Sequence, residues 1–458
     1  MILQQIYTKC LAQASYYIES EGDVAIVDPI RDIACYLEMA KERNAKIRYV
    51  LITHFHADFV SGHLELAKKT GAIIVFGQNA KPNYPALVAE DHQHLYIGTC
   101  KIEVLHTPGH TIESACFLLY DENKKPFAVF TGDTLFVGDT GRPDLLSGNL
   151  SSTELASMLY NSIQTKIKTL PDEVIVYPGH GAGSACGKNL GKETWSTIGE
   201  QKKMNYALKL GRDEFITAVT TDQPLAPAYF FKDAQINVNG YDDLDNVLQK
   251  SLKPLTIEEF KKEKKEGAIV IDTRISTAFG KLFIKDSINV GLDGQYAIWV
   301  GTLINFNHPL ILLTDEGDEK VALTRLARIG YENIKGYLSG GINDWLDANG
   351  ETDCIKTISF AELNDTTDRS LYRLLDVRNQ TEFKKEHLCE SLHIPLEEIN
   401  SRMQELDKNQ QYAIYCAGGY RSMIAASILK KNGFQHILNI EGGVNEIKKT
   451  APQLVEYV

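Results

Sequence analysis

An internal repeat in the C-terminal half of the chain is the feature that most narrows the folds open to this sequence. Each copy is roughly a hundred residues long. Three pairs of stretches recur in the same order: AIVIDTRISTAF (268–279) with RLLDVRNQTEF (373–383), KDSINVGL (285–292) with CESLHIPL (389–396), and GYENIKGYLSGGINDW (330–345) with GFQHILNIEGGVNEI (433–447). Both copies run strand, Asp-x-Arg, strand, helix, strand and Gly-Gly, which predicts a small α/β domain with a parallel sheet. We place these two domains at residues 255–352 and 356–458.

The preceding residues, 1–245, are predicted to form a larger domain of alternating short strands and helices. Four of its strands end in loops that carry metal-ligand residue types: THFHAD (53–58), TPGH (107–110), TGDT (131–134) and YPGH (177–180). A single histidine is more often structural than a ligand. Four such loops in one domain favour a metal site at the edge of a sheet.

The order HxHxD, TPGH, GD and GH resembles the metallo-β-lactamase superfamily. The segment GDTLFVGDTGRPD (132–144) is similar to the branch that holds glyoxalase II and the persulfide dioxygenases. With the repeat, which resembles two rhodanese domains, the whole chain is similar to persulfide dioxygenase–rhodanese fusions. The resemblance implies an α/β protein: an αββα sandwich followed by two rhodanese-like domains with parallel sheets.

Phe59 follows the HxHxD loop, where two-metal hydrolases of the resembling family have a histidine ligand. The resemblance therefore implies one Fe(II) per chain, held by the residues matching His56, His110 and Asp133. Two histidines and a carboxylate with open positions are typical of non-heme iron centres that activate O₂. Three further residues are expected to orient the ligands from outside: His54, Asp58 and His180. A hydrolase with a single zinc is the alternative.

Three residues near these loops are candidates for substrate binding. By resemblance, Arg142 of GRPD binds the carboxylate of the thiol carrier, with Asp144 beside it, although an Arg–Asp pair that braces the loop is an equal interpretation. Cys186 lies six residues after His180 in a glycine-rich segment and is a candidate for handling sulfur. Most free cysteines are simply buried small residues, so a packing role for Cys186 remains open.

The motif CAGGYRS (416–422) lies between a predicted strand and a predicted helix. Gly418 and Gly419 let backbone N–H groups turn toward the Cys416 sulfur, and the helix N-terminus adds to the stabilisation of a thiolate. The motif resembles the rhodanese active-site loop, so Cys416 and Arg421 are predicted to be catalytic. The first copy has no cysteine at the corresponding place, and its acidic stretch DEGDE (315–319) would repel an anion. We expect that copy to be a scaffold.

The net charge is −12 and there is no basic tract, so neither nucleic acid nor an anionic membrane is an expected partner. No apolar run reaches the roughly 20 residues of a membrane span, and the N-terminus lacks the features of a signal peptide. The eight cysteines are scattered without a CxxC pair, which favours free thiols and a cytoplasmic location. A homo-oligomer is expected.

The leading hypothesis is a bifunctional enzyme of sulfide and persulfide metabolism. It would oxidise a low-molecular-weight thiol persulfide with O₂ to sulfite and thiol, and would move sulfane sulfur between persulfide, sulfite and thiosulfate at Cys416. The first rival is a glyoxalase II-like thioesterase fused to sulfurtransferase modules. The second is a persulfide sensor or sulfur carrier that uses Cys416 as a docking thiol.

Overall fold

The structure is a computed structural model that describes residues 1–145, 150–221, 223, 225–365 and 371–457. It divides into two compact units. The first comprises Met1–Asn246 with Ala327–Gly330, and the second comprises Val247–Leu326 with the chain from Tyr331 onward.

The first unit contains two six-stranded mixed sheets. Strands of the first sheet follow one another in chain order: β1 Ile2–Thr8, β2 Gln13–Ser20, β3 Asp23–Val27, β4 Lys46–Ile52, β5 Ile73–Phe76 and β6 Leu87–Val88. Strands of the second sheet do the same: β7 His94–Ile97, β8 Cys100–His106, β9 Ala115–Tyr120, β10 Pro126–Gly132, β11 Ile175–Pro178 and β12 Ser196–Thr197. Pairing is parallel from β3 to β6 and between β10 and β11, and antiparallel elsewhere.

The two sheets bury their apolar faces against each other. Tyr16 of the first sheet shares one core with Val104 and Phe117 of the second. Burial alternates along β8, as expected for a strand with one face in the core. This shared core makes the centre of the unit a sheet-on-sheet sandwich.

Helices cover the outer faces of the sandwich. Their bounds are α1 Ala34–Glu42, α2 His63–Thr70, α3 Ser152–Ser162, α4 Ile198–Met204, α5 Arg212–Thr220 and α6 Phe230–Asn239, with a π-helical turn at Ile163–Ile167 and a 3₁₀ turn at Tyr206–Leu208. The helix α7, Leu244–Ser251, begins in the first unit and ends in the second. Leu159 of α3 and Phe215 of α5 pack with Leu118 on the second sheet, while α2 packs on β4 and β5 of the first. The helix α3 starts at a capping box, in which Ser151 and Glu154 each bind the other's backbone N–H. The layers are therefore αββα, as predicted.

The second unit contains two five-stranded parallel sheets of the same topology. The first has the order β13-β18-β17-β14-β16 and the second β20-β25-β24-β21-β23. The strand bounds are β13 Pro254–Leu255, β14 Ile269–Asp272, β15 Phe283–Ile284, β16 Ile288–Asn289, β17 Leu310–Leu313, β18 Ile334–Leu338, β19 Thr352–Asp353, β20 Lys356–Ile358, β21 Tyr372–Asp376, β22 Glu386–Leu388, β23 Leu392–His393, β24 Gln411–Tyr415, β25 Ile437–Ile440 and β26 Val455–Tyr457. The pairs β15–β19 and β22–β26 form small antiparallel ribbons.

Helices flank these sheets in corresponding places. Their bounds are α8 Ile257–Lys265, α9 Ser276–Lys281, α10 Tyr296–Leu303, α11 Glu319–Ala327, α12 Gly341–Asp347, α13 Phe360–Asp365, α14 Gln380–Lys385, α15 Ile399–Arg402, α16 Tyr420–Lys431 and α17 Gly443–Thr450, with 3₁₀ turns at Leu396–Glu398, Met403–Glu405 and Pro452–Leu454. The predicted parallel-sheet repeat is confirmed.

The Asp-x-Arg landmarks make the same contacts in both copies. Arg274 binds Asp272 through Nε at 3.0 Å and Nη2 at 2.6 Å, and Arg378 binds Asp376 at the same two distances. Each guanidinium also donates to a backbone carbonyl eight residues further on. These four side chains are buried, so each charge is compensated by its partner. Within the described part of the chain, no helix combines the length and apolar character that a membrane crossing requires.

Candidate functional site

Asp28, at the end of β3, orients the loop that follows β4. Its two carboxylate oxygens accept hydrogen bonds from the Thr53 N–H and hydroxyl, both at 2.8 Å. Oδ1 also lies 3.1 Å from Nε2 of His56. The sequence analysis missed Asp28. The sequence feature that could have identified Asp28 is its position directly after a buried strand, next to the strand that leads into the HxHxD loop.

Asn237 of α6 holds the other side of this loop. Its side-chain amide donates to the carbonyls of His56 at 2.7 Å and Phe59 at 2.8 Å, and its oxygen accepts from the Ser61 N–H at 3.0 Å. Asn237 is buried. No sequence motif marks it, because it reaches the loop from about 180 residues away in the chain.

The first cluster of ligand-type side chains consists of His54, His110 and Asp133. One ligand atom from each lies within 4.8 Å of the others. Asp133 Oδ2 is 3.5 Å from Nε2 of His110 and 3.9 Å from Nε2 of His54. All three residues are buried, and they come from three of the four predicted loops.

Hydrogen bonds at Nδ1 leave Nε2 of both histidines available. The Thr53 hydroxyl gives its only proton to Asp28, so at 2.9 Å it accepts from Nδ1 of His54. Nδ1 of His110 donates to the carbonyl of Arg142, also at 2.9 Å. Burial, followed by the neighbouring histidines, lowers the pKa of His54 well below its ordinary value, which keeps this imidazole neutral. Neutral imidazoles held through Nδ1 are the form that binds metals.

The second cluster consists of His56, Asp58 and His180, again with ligand atoms within 4.8 Å of one another. Nε2 of His180 lies 3.4 Å from Asp58 Oδ2 and 3.6 Å from Asp133 Oδ1. Asp133 thus faces the first cluster through one carboxylate oxygen and the second through the other.

The structure groups the two histidines of the HxHxD loop differently from the ligand set predicted from the sequence. His56 was predicted to join His110 and Asp133, and His54 to lie outside that set. In the structure a ligand atom of His54 lies with His110 and Asp133, and one of His56 lies with Asp58 and His180. Nε2 of His56 lies 3.1 Å from Asp28 Oδ1. Which of the two histidines binds the metal stays a prediction. The two histidines are separated by one residue, so their spacing fits either assignment.

Unpaired buried atoms indicate that these residues fit a metal ion. Several make no hydrogen bond: both carboxylate oxygens of Asp133, both ring nitrogens of His180, Nδ1 of His56 and Oδ1 of Asp58. Buried polar atoms without partners are costly unless a ligand satisfies them. A donor set of imidazole nitrogens and carboxylate oxygens suits iron or zinc.

Phe59 contributes no ligand to the second cluster. Its ring is completely buried, and its centroid lies 4.3 Å from that of His56. An apolar ring therefore packs beside the cluster at the position where the resembling hydrolases have a histidine.

Arg142 and Asp144 form an ion pair through two hydrogen bonds, Nε–Oδ1 at 2.8 Å and Nη2–Oδ2 at 2.7 Å. The Arg142 side chain is buried, so the structure shows the loop-bracing contact that the sequence left as one of two interpretations. Gly141, which precedes Arg142, packs closely against residues of the first cluster. A Cβ at Gly141 would lie 2.1 Å from the Asp133 carbonyl oxygen and 2.9 Å from Nδ1 of His110.

Cys186 lies beside the second cluster. Its sulfur, Asp133 and His180 form a third group of ligand-type atoms within 4.8 Å. Its carbonyl accepts the Arg142 N–H at 3.0 Å. Burial, together with the nearby Asp58 and Asp133 carboxylates, raises the pKa of the Cys186 thiol well above its ordinary value.

The Cys416 loop connects β24 to α16. The Gly419 N–H donates to the Cys416 sulfur at 3.1 Å, and Gly419 has a φ of +102°, which glycine adopts without strain. The Gly-Gly landmark also contacts this loop. A Cβ at Gly443 would lie 2.1 Å from the Cys416 carbonyl oxygen. Gly418 is exposed and has open space around it.

Arg421 binds Glu382 through two hydrogen bonds, at 2.6 and 2.7 Å. Glu382 also completes the capping box of α14 with Asn379. Arg421 therefore ties the Cys416 loop to the start of another helix. The sequence analysis missed Glu382, although its position three residues after Asn379 is a capping signal.

In the first copy, the corresponding loop lines a cavity of about 390 Å³. Asp315, Glu316 and Glu319 contribute carboxylates to its wall, together with Arg274. The loop carries no thiol, since the sequence has no cysteine between residues 186 and 354.

Comparison with known proteins supports this architecture. Residues 8–180 match the metallo-beta-lactamase superfamily, and residues 256–348 and 359–450 match the rhodanese-like domain. A crystal structure of a metallo-beta-lactamase from Staphylococcus aureus subsp. aureus COL is 35% identical, with a TM-score of 0.66, and the match covers 74% of this chain and 98% of that one. The chain belongs to the metallo-β-lactamase superfamily and carries two rhodanese-like domains. It is an enzyme of that superfamily.

Relatives of two different activities match the large domain. A probable hydroxyacylglutathione hydrolase from Schizosaccharomyces pombe is 34% identical over 165 residues, which are 35% of this chain and 60% of that protein. The mitochondrial persulfide dioxygenase ETHE1 of Homo sapiens is 27% identical over 222 residues, 47% of this chain and 79% of that protein. The chain thus spans less than two thirds of the length of the first relative.

Proposed function

We propose that the chain is a bifunctional enzyme, a persulfide dioxygenase and a sulfurtransferase. The first reaction is RSSH + O₂ + H₂O → RSH + SO₃²⁻ + 2H⁺, where R is a low-molecular-weight carrier. The observation that carries this proposal is the buried cluster of His54, His110 and Asp133, in which two imidazoles and one carboxylate converge. This donor set with open positions is typical of non-heme iron oxygenases.

Fe(II) held by His54, His110 and Asp133 would supply the O₂ chemistry that the oxidation requires. The chain's own contribution is to fix the ligands. Thr53 and the Arg142 carbonyl hold the Nδ1 protons of the two histidines, and Asp28 fixes Thr53 in turn. Burial of the cluster limits the access of bulk water.

Phe59 supports one iron over two metals. Its buried ring removes one imidazole from the second cluster and leaves His56, Asp58 and His180. We propose that these three orient the ligands and hold water, and that the Cys186 thiol beside them contacts the substrate sulfur. Arg142 acts mainly through its contacts in the GRPD loop.

Cys416 is the proposed nucleophile of the second reaction. Its thiolate attacks the sulfane sulfur of a persulfide, the S–S bond of the donor breaks, and RS⁻ leaves. The resulting Cys416 persulfide then gives its outer sulfur to sulfite, which forms thiosulfate and restores the thiolate. The Gly419 N–H, 3.1 Å from the Cys416 sulfur, stabilises the thiolate. Sulfite from the first reaction is thus a substrate of the second.

A metal-dependent thioesterase is the second candidate for the large domain. Two observations favour it: the hydrolase from Schizosaccharomyces pombe has the higher identity of the two relatives, 34% against 27%, and the second cluster offers three ligand-type side chains. A hydrolase of this kind would use a metal-bound hydroxide and two zinc-type ions.

Metal content after anaerobic purification separates the two candidates. We expect about one iron per chain for the dioxygenase. About two zinc-type ions, with hydrolysis of a glutathione thioester and no O₂ uptake, would establish the thioesterase instead.

A further inference from the structure

The cysteine-less domain reaches the Cys416 loop through Tyr420. This tyrosine is the first residue of α16 and directly follows Gly419, whose N–H donates to the Cys416 sulfur. Its hydroxyl donates to the carbonyl of Gly291, in the other rhodanese-like domain, at 2.8 Å. Burial and the nearby Asp293 carboxylate raise the pKa of Tyr420, so the hydroxyl keeps its proton and remains a donor.

The segment Gly291–Gly294, here called the tyrosine socket, packs closely against the Tyr420 ring. A Cβ at Gly294 would lie 2.5 Å from the ring, and a Cβ at Gly291 would lie 3.4 Å from it. Side chains at these two positions would therefore displace or crowd the ring. In the other copy the corresponding positions hold Pro395 and Glu398, so the two glycines are particular to the domain that receives the tyrosine.

Arg325 of α11 braces the socket from its own domain. Its guanidinium donates to the carbonyls of Leu292 and Gly294, both at 2.6 Å. The side chain is buried and lies over the Tyr296 ring. A buried arginine that binds two carbonyls of this one short segment makes the socket rigid.

A second contact joins the same helix to the same domain further along. The Asn289 N–H donates to the Ser427 hydroxyl of α16 at 3.1 Å. The helix α16 is thus held at its first residue and again near its middle. Ser427 lies two turns away from the Cys416 loop and provides a matched control.

We propose that the cysteine-less domain is a positioning element of the Cys416 centre, in which the tyrosine socket holds Tyr420 and thereby the Gly419 N–H that donates to the Cys416 sulfur. This inference rests on the sulfurtransferase half of the proposed function. Tyr420 acts through Gly419 and is a positioning residue. The domain without a cysteine would then position the thiol of the other rhodanese-like domain.

The test measures Cys416 in the full chain. Tyr420→Phe removes only the hydroxyl, Gly294→Ala crowds the ring, and Ser427→Ala loosens the contact away from the loop. The readouts are the pH dependence of Cys416 alkylation by iodoacetamide, followed on the Cys416 peptide by mass spectrometry, and kcat and KM for sulfur transfer from thiosulfate. The charged groups near the thiol, Arg421 with Glu382 and Glu397, are the same in every variant.

Tyr420→Phe and Gly294→Ala should each move the alkylation profile to higher pH by about 0.5 to 1 unit and lower kcat roughly three- to tenfold, as expected for a weakened hydrogen bond to the thiolate. Ser427→Ala should leave both readouts unchanged. Because Gly294 acts through the ring, Gly294→Ala combined with Tyr420→Ala should equal Tyr420→Ala alone.

Unchanged alkylation profiles in Tyr420→Phe and Gly294→Ala would overturn the inference, as would an equal shift in Ser427→Ala. Failure of the proposed function looks different. In that case the wild-type chain shows no sulfur transfer, while the alkylation profiles still report whether the socket positions the thiolate.

Discussion

At the scale of the residue, a chain of hydrogen bonds decides which nitrogen of His54 is free. Asp28 takes the Thr53 hydroxyl proton, and the Thr53 oxygen in turn accepts from Nδ1 of His54. Nε2 of His54 therefore faces Asp133 Oδ2, and Nε2 of His110 faces the same carboxylate oxygen. His56 lies in the other cluster.

Substitution of the two histidines should consequently have unequal effects. His54→Ala should abolish iron binding and O₂ consumption, because it removes a ligand. His56→Ala should lower metal affinity or activity by roughly 10–100-fold, the usual cost of losing a group that orients ligands. Iron content per chain and O₂ uptake are measured for both variants. Full loss in His56→Ala with iron retained in His54→Ala would contradict this expectation and support His56 as the ligand, as predicted from the sequence.

Phe59→His should raise the metal-to-chain ratio in zinc- or manganese-rich medium, because it adds an imidazole 4.3 Å from His56, beside the second cluster. Phe55→His is the matched control. It places an imidazole in the same loop, at a ring that instead packs on Phe76. The expected result is a higher ratio for Phe59→His alone. Equal ratios in both variants would mean that the Phe59 ring does not exclude the second ion.

The sequence predicted the four loops because ligand-type residues follow strands, and the ends of neighbouring strands meet at one edge of a sheet. It did not distinguish His54 from His56, because one residue of spacing leaves the direction of each ring undetermined. Asn237 had no signal at all, since its contacts with the loop after β4 bring together residues about 180 positions apart in the chain.

At the scale of the element, Glu382 links the start of a helix to the Cys416 loop. It caps α14 with Asn379 and binds Arg421, which follows the first residue of α16. Burial opposes the ionisation of Glu382, but the hydrogen-bonded Arg421 outweighs it, so the pKa of Glu382 lies below its ordinary value. One carboxylate thus contacts both the start of α14 and Arg421 at the start of α16.

Glu382→Gln should lower the free energy of unfolding of this domain by about 1–2 kcal/mol at pH 7, allowing for partial exposure of the pair. A depressed carboxyl pKa stabilises the fold above the ordinary glutamate pKa and loses that effect as the pH falls through the folded value. The difference from wild type should therefore shrink below about pH 4. Urea unfolding at both pH values tests this, with Glu405→Gln, in the surface pair with Arg402, as the control. A constant difference between pH 7 and pH 3 would contradict it.

At the scale of the whole molecule, two copies of one domain carry different side chains at corresponding places. One keeps Cys416 and a glycine-rich loop, while the other has acidic residues at the corresponding place and contributes the tyrosine socket. The sequence predicted this division, because the missing cysteine and the DEGDE stretch are visible without a structure. It did not predict the socket, because the contact between Tyr420 and Gly291 spans 129 residues.

Cys416→Ser should abolish transfer between persulfide and thiosulfate and leave iron content and O₂ consumption largely intact. It should also change the product, since sulfite should accumulate where the wild-type chain yields thiosulfate. The measurement is sulfite and thiosulfate over one time course, with wild type beside the variant. Identical sulfite-to-thiosulfate ratios would show that the two reactions do not share sulfite.

The central claim is oxidation of a thiol persulfide at the cluster of His54, His110 and Asp133. The most direct test is O₂ uptake by the anaerobically purified, iron-loaded chain across persulfides of glutathione, coenzyme A and bacillithiol, with sulfite and thiosulfate measured in the same samples. The proposed reaction predicts one O₂ consumed for each persulfide oxidised with at least one carrier, and loss of that uptake in Asp133→Ala. Absence of O₂ uptake with every carrier, or full uptake by an iron-free Asp133→Ala protein, would contradict the assignment.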